Sequence, residues 1–248
     1  MSNFYKLNGS KYEIDHDFFE VIDSEVKAYL LGFYVADGNV NEKRKTFRIS
    51  ISECDKEIIN IFRQHISPSS RIYRCAPYEV KGRNNKTYIG NSKLSYDVNS
   101  TKLVNSIVKL GYGYNKTYLH LKLPKLPDDL MLAFIRGYLD GDGWITIWTA
   151  KEKGKKDRVR CSIGMCNKYD DLLLDIKNYF NKYDVKFQLH YIKRDDMYRI
   201  VCQRKNDIKK IYDLIYKDAH YFLSRKKSKL ESYVNTEILQ KTTEDCNA

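Results

Sequence analysis

Two aspartates stand out by what precedes them. Asp37 closes the helical pattern in VKAYLLGFYVADGNV (26–40), and Asp142 does the same in MLAFIRGYLDGDGWIT (131–146). In each stretch three small residues recur every fourth position before an Asp-Gly: Ala28, Gly32 and Ala36 in the first, Ala133, Gly137 and Gly141 in the second, at a constant offset of 105. Residues four apart share one face of a helix. Each stretch therefore predicts a helix whose Ala/Gly face lets another backbone approach closely, and the natural partner of one such face is the other. Packed side by side in the same direction, the two helices end together and bring Asp37 close to Asp142. Carboxylates at the negative ends of helices, and near each other, are unfavourable without compensation. A divalent cation with oxygen ligands is the simplest compensating charge, and such an ion activates water and stabilises a leaving oxygen. One Asp-Gly alone is equally well explained as a helix stop with glycine at the C-cap; two at fixed register are not. Asp140 is a tempting third acid, but its counterpart in the first copy is Val35, so it reads as a polar helix-end residue outside the chemistry.

The elements that must position these acids follow from periodicity. The repeat divides the 248 residues into halves, 1–120 and 121–248. In the first, FRISISE (47–53) alternates apolar and polar residues as a half-buried strand does. Asp55–Ile66 has an amphipathic helical pattern that Pro68 ends, 71–98 holds two or three further strands around a polar turn at Lys81–Lys86, and Ser100–Lys109 is a second amphipathic helix ended by Gly111. A linker, 114–129, carries two of the four prolines. The second half repeats the order: WITIWTA (144–150), a basic turn at Lys151–Arg158, VRCSIGM (159–165), a helix over Asp170–Tyr183, strands 187–194 and 197–203, a helix over 206–217, and FLSRKKSKLESY (222–233) in the place of YNKTYLHL (114–121). The tail beyond about 235 is polar and expected to fray. Each half thus reads as αββαββα, an α+β fold with antiparallel sheets and helices on one face.

Charge points to the partner. Lys and Arg number 44 against 32 Asp and Glu, a formal net charge of +12, which favours a polyanion. No basic amphipathic helix or long apolar run supports a membrane surface. The N-terminal MSNFYKLNGSKYEIDHD has no apolar signal core, which implies an intracellular protein with its compartment open. Cys54, Cys75, Cys161, Cys166, Cys202 and Cys246 form no Cys-x-x-Cys pair, and no histidine pair has zinc-ligand spacing, so they read as reduced, mostly buried small hydrophobes.

LLGFYVADG (30–38) and IRGYLDGDG (135–143) resemble the two signature motifs of single-chain LAGLIDADG homing endonucleases, and the segments after each follow that family's layout over nearly the whole chain. The resemblance implies two pseudo-symmetric halves whose sheets form a DNA-binding saddle around the motif-helix pair. It implies a monomeric, site-specific endonuclease that breaks both strands of a long DNA target by metal-dependent hydrolysis, as in intron homing. It adds Mg2+, with the main-chain oxygens of Ala36 and Gly141 as ligands beside Asp37 and Asp142. It also places one lysine per half near the site: Lys116 and Lys227, with Lys226 able to substitute because the register is open by one. A polar residue at the end of the strand after each motif positions solvent in this family. Ser52 or Glu53 takes that place in the first half. Gly164 or Met165 falls there in the second, a departure that implies unequal cutting of the two strands.

A strand rises about 3.3 Å per residue and duplex DNA about 3.4 Å per base pair, so two sheets with strands of roughly ten residues would follow on the order of 20 base pairs along the major groove. The polar strand faces offer Arg48, Ser50, Arg71, Tyr73, Lys93, Ser95, Thr146, Trp148, Arg160, Ser162, His190, Lys193, Arg199 and Gln203 as contacts, with the basic turns meeting phosphates. Two other readings fit the same scaffold: an RNA-splicing maturase bound to intron RNA, and a DNA-binding regulator without catalysis. The presence of both motif acids favours the nuclease.

Overall fold

The computed structural model of the chain describes residues 4–7, 11–41, 43–81, 86–151, 154 and 157–245. The turn residues Glu42, 82–85, 152, 153, 155 and 156, and Cys246, lie outside the described residues. Two compact units emerge, and they do not follow a single cut in the chain: 1–23 and 34–116 form the first, 24–33 and 117–248 the second. The opening helix, α1 (Glu25–Asp37), contributes its residues through Phe33 to the second unit and its last turn to the first.

In the first unit β1 (Gly38–Asn41), β2 (Thr46–Ser52), β3 (Ile72–Cys75) and β6 (Lys93–Asn99) make an antiparallel sheet in the order β1-β2-β6-β3, and β4 (Tyr78–Lys81) pairs with β5 (Thr87–Gly90) as a separate hairpin. The alternation of β2 becomes burial: Phe47, Ile49 and Ile51 are buried while Arg48 and Ser50 are exposed. Pairing preserves the two faces, because Phe47 opposes Val98 and Ile49 opposes Tyr96, whereas Arg48 opposes Asp97 and Ser50 opposes Ser95. The apolar face is covered by α2 (Lys56–Ile66), which buries Ile58, Ile59, Phe62 and Ile66, and α3 (Thr101–Lys109), which buries Leu103, Val104 and Ile107. Ser100 caps α3, its Oγ accepting from the Leu103 amide at 3.1 Å, and Gly111 follows it at φ +89°, the left-handed conformation glycine adopts freely.

In the second unit β7 (Gly143–Ala150), β8 (Arg158–Asn167), β9 (Gln188–Ile192) and β10 (Met197–Cys202) pair antiparallel in the order β7-β8-β10-β9. Taken by position, this is the order of the first sheet, so the sequence repeat is a structural repeat. The helices are α4 (Asp128–Asp142), α5 (Asp171–Asn181), α6 (Lys205–Ile215) and α7 (Ser224–Asp245).

The fold is α+β, and from α4 to α6 the second unit has the expected αββαββα order, with α7 after it. The first differs: 71–98 contains four strands, because the β4/β5 hairpin is inserted between the two that join the main sheet. α7 continues to Asp245 instead of fraying near 235. The cysteines also divide. Cys161 and Cys202 are buried, but Cys54 and Cys75 are exposed, so these two are not core residues. Among the described residues no helix is long and apolar enough to cross a membrane.

Candidate active site and nucleic-acid interface

The small-residue faces meet within the second unit. A Cβ added to Gly32 would lie 1.9 Å from the carbonyl oxygen of Phe134, and one added to Gly137 would lie 2.0 Å from that of Tyr29. The contact is backbone on backbone, as Ala/Gly spacing requires. A polar clamp fastens it. Arg136 of α4, 4% exposed, donates to Glu25 of α1 at 2.5 Å and to the main-chain oxygens of Ile215 and Tyr221, each at 2.7 Å. Glu25 also accepts from the His220 ring at 2.8 Å. Burial works against the Glu25 charge, but the His220 hydrogen bonds and the Arg136 guanidinium outweigh it and hold its carboxyl below the usual range.

At the end of α4 two buried charged groups serve the main chain. Lys226, 5% exposed, donates from Nζ to the main-chain oxygens of Leu139 (2.7 Å), Asp140 (2.7 Å) and Gly143 (2.6 Å). An ammonium is favourable there, where α4 ends in unsatisfied carbonyls and a partial negative charge. Lys227, the other lysine the resemblance offers near the site, lies 4.1 Å from the centroid of the Phe222 ring. Of the two adjacent lysines it is Lys226 that faces the end of α4. Asp140, the polar helix-end residue, is buried too. At 1% exposure its carboxylate accepts from Tyr29 Oη (2.9 Å), Tyr216 Oη (2.5 Å) and the Leu223 amide (2.8 Å). Desolvation pushes its pKa up to about 6, with the Tyr216 hydroxyl and the Lys226 charge pulling the other way.

The end of α1 has a counterpart in the first unit. Lys116 donates from Nζ to the main-chain oxygens of Val35 and Ala36, both at 2.8 Å. By the offset of the repeat Val35 corresponds to Asp140, so the two lysines grip the equivalent carbonyl in both copies. Asp37 itself is exposed and Asp142 half-buried. Among the described residues no three His, Cys, Asp or Glu gather as a metal cage. Carboxylate and main-chain oxygens are the donors a hard ion such as Mg2+ takes, and a set without Cys or His does not suit zinc. The Ala36 oxygen already accepts from Lys116, which leaves it one lone pair for any cation.

Residues 135–241 match the family described as LAGLIDADG endonuclease, and residues 24–106 match the one described as LAGLIDADG-like domain. This is a two-motif LAGLIDADG protein. An uncharacterized protein of Methanocaldococcus jannaschii is 24% identical over 200 residues, which cover 77% of this chain and 66% of that one, so the chain spans just under two thirds of that relative's length. Among solved structures, the I-SmaMI LAGLIDADG homing endonuclease bound to cleaved DNA aligns with a TM-score of 0.58 at 14% identity over 88% of this chain and 90% of that one. The meganuclease I-AabMI bound to uncleaved DNA aligns at 0.57 and 14%, over 87% and 91%. At such identity the likeness shows the fold.

Each sheet of this LAGLIDADG protein has one polar face. In the first unit Arg48, Ser50, Tyr73, Lys93 and Ser95 share it, as the pairings Ser50 to Ser95 and Tyr73 to Ser95 require; Arg71 is exposed just before β3. In the second unit Thr146, Trp148, Arg160, His190 and Arg199 share it. Three expected contacts are placed differently. Ser162 lies on this face but is 6% exposed, Lys193 is in the turn after β9, and Gln203 follows β10.

The candidate solvent-positioning residues are engaged. Glu53 accepts from Arg74 Nε (3.0 Å) and Nη2 (2.9 Å) and from Ser92 Oγ (2.6 Å), and the Ser92 hydrogen bond with the Arg74 pairing lowers its pKa. In the second unit a Cβ on Gly164 would lie 2.2 Å from the Trp144 ring. The indole of Trp144, two residues beyond Asp142, therefore lies over Gly164 on the sheet's polar face, where a larger side chain would meet the ring. Sequence reading passed over Trp144. Its signal was its place on the polar parity of β7, shared with Thr146 and Trp148.

Proposed function

We propose that this LAGLIDADG protein is a monomeric, site-specific endonuclease that makes a double-strand break in a long DNA target by divalent-metal-dependent hydrolysis, with Mg2+ as the ion. The observation that carries the reading is that both motif acids are present and that each motif helix ends in carbonyls held by a lysine, Lys116 for α1 and Lys226 for α4. A DNA-binding regulator would need neither acid. Further support comes from the solved relatives: I-SmaMI is described bound to its uncleaved DNA target in the presence of calcium ions, and I-GzeII in complex with a DNA target.

In this reading Asp37 and Asp142, with the main-chain oxygens of Ala36 and Gly141, would hold the cation. A bound ion of this type supplies Lewis acidity and lowers the pKa of coordinated water. The chain's own groups do the rest. Asp37 and Asp142 supply the carboxylates, Lys116 and Lys226 fix the carbonyl-rich helix ends and offset phosphate charge, and the two polar sheet faces hold the duplex.

The test is selection of cut sites from a randomised duplex library with Mg2+. A defined site should be recovered, EDTA should abolish cutting, and Asp142→Asn should bind the recovered site without cutting it. Normal cutting by that variant would sink the assignment of the acids. Binding should weaken steeply with salt, as many phosphate contacts require.

A further inference from the structure

The polar face of the first sheet carries a charged pair set directly across two central strands. Arg48 of β2 and Asp97 of β6 are directly opposed across the ladder. Arg48 Nε donates to both carboxylate oxygens, at 2.9 and 3.0 Å, and Nη2 donates to Oδ2 as well. Asp97 is fixed in turn by Ser95 Oγ at 2.8 Å. The strand beneath is anchored, since Phe47 and Ile49 on either side of Arg48 are fully buried on the opposite face. The guanidinium therefore has one edge, Nε with Nη2, committed to Asp97, and its side chain remains 51% exposed. A guanidinium has five N–H donors in a planar fork. What remains is the terminal edge, Nη1 with the second hydrogen of Nη2, presented by a side chain whose orientation is already set.

We propose that Arg48, oriented by Asp97, reads a guanine in the major groove of the half-site covered by the first unit. The inference rests on the DNA-cleavage reading above. Two parallel N–H donors match guanine O6 and N7, the commonest specific contact of arginine with a base. The alternative occupant of that fork is a phosphate, and the charges argue against it. Asp97 offsets the arginine's charge, and its carboxylate, 24% exposed on the adjoining edge of the same guanidinium, repels a phosphate that approaches the fork. A neutral base edge meets no such repulsion. Phosphates are better served by Arg44 and Lys45, which line the same concave surface of about 990 Å³ beside Asn39, Asn41 and Asn99. Arg48 is thus a reader of sequence, and its oriented fork needs less ordering on binding than a mobile side chain.

The experiment compares the site profiles recovered from a randomised duplex library by the wild type, Arg48→Ala, Arg48→Lys and Asp97→Asn, each checked for folding by circular dichroism. The wild type should show a guanine at one position whose preference falls roughly ten- to a hundredfold in Arg48→Ala, with other positions unchanged. Arg48→Lys, a point charge without a fork, should keep affinity and lose most of the preference. Asp97→Asn should bind unrelated DNA more tightly at low salt, because a negative charge leaves the face, and yet discriminate guanine less. That split separates an orienting role from an ordinary surface ion pair, which predicts tighter binding with discrimination intact. An unchanged profile for Arg48→Ala, a lost preference for a base other than guanine, or full discrimination by Asp97→Asn overturns the inference alone. A wild type that recovers no site overturns the nuclease reading and this inference with it.

Discussion

Lys226 and Asp140 secure one joint from two directions. The Lys226 ammonium donates to the Asp140 main-chain oxygen at 2.7 Å, while the Asp140 carboxylate accepts the amide of Leu223, three residues before the lysine, at 2.8 Å. The end of α4, from which Asp142 projects, is thereby tied to the start of α7 by a buried cation and a buried anion. Removing either takes a buried hydrogen-bond partner from several groups in the low-dielectric interior, where a polar group left unsatisfied costs about 1–3 kcal/mol.

The neighbouring lysines make a sharp comparison. Lys226→Met should destabilise the second unit by several kcal/mol, since the Leu139, Asp140 and Gly143 oxygens all lose the ammonium and Leu139 falls back on the Gly143 amide, and should abolish cleavage. Lys227→Met loses one cation–π contact at the surface, worth about 0.5–1 kcal/mol, and should cut within a few-fold of wild type. Urea unfolding and a plasmid-nicking assay on both variants check the ordering; equal losses would show that the carbonyl clamp has no special role.

Asp140 also sets a pH dependence. Its pKa rises from 3.8 in the unfolded chain to about 6 in the fold. Between those values the folded chain keeps a proton that the unfolded chain has lost, so stability falls as pH rises through that window. The loss is up to about 3 kcal/mol for a group this buried. Glu25 runs oppositely: its lowered pKa contributes stability that is lost as pH falls through the folded value, below the ordinary 4.5. Asp140→Asn should therefore flatten the stability profile between about pH 4 and 6 and leave the acid limb in place. Urea midpoints measured across that range would show it, and an unchanged slope in the variant would remove Asp140 as its source.

What the sequence revealed and what it hid have one physical basis. Gly32 and Gly137 announced their contact because a four-residue spacing is local information and a helix converts it directly into a face. Strand β2 was readable for the same reason. The surroundings of Asp140 stayed hidden because its partners, Tyr29, Tyr216 and Leu223, lie 111, 76 and 83 residues away, and no local pattern encodes them. The choice of Lys226 over Lys227 was available in principle. Leu223, Lys226, Leu230, Tyr233 and Val234 follow helical three- and four-residue steps, and all five are buried; Lys227 lies off that stripe. Strand β1 escaped because four residues, Gly-Asn-Val-Asn, carry too little alternation to register.

The two tryptophans report on binding. Both Trp residues of the chain, Trp144 and Trp148, stand on the polar face of β7, the first opposite Gly164 and the second opposite Arg160. Duplex DNA on that face should quench or shift the whole intrinsic emission, and raising the salt should restore it as phosphate contacts are lost. Trp148 is 40% exposed, so Trp148→Phe should remove most of the change and Trp144→Phe less. Emission that ignores DNA at concentrations where a mobility shift is complete would place the duplex elsewhere.

The last test concerns the helix contact on which the second unit's geometry depends. A methyl at Gly137 would stand 2.0 Å from the Tyr29 carbonyl oxygen and 2.8 Å from the Phe33 amide nitrogen, both backbone atoms that cannot rotate away. Gly137→Ala therefore forces the two helices apart, strains the Arg136–Glu25 ion pair across them, and should cost more than about 3 kcal/mol. Gly111 separates this clash from a general cost of losing glycine. It has positive φ and nothing within 4 Å of an added Cβ, so Gly111→Ala bears backbone strain alone, about 1 kcal/mol. Urea unfolding of the two variants should give a difference of at least about 2 kcal/mol. A Gly137→Ala protein as stable as Gly111→Ala would mean that the helix faces stand further apart than the backbone contact requires.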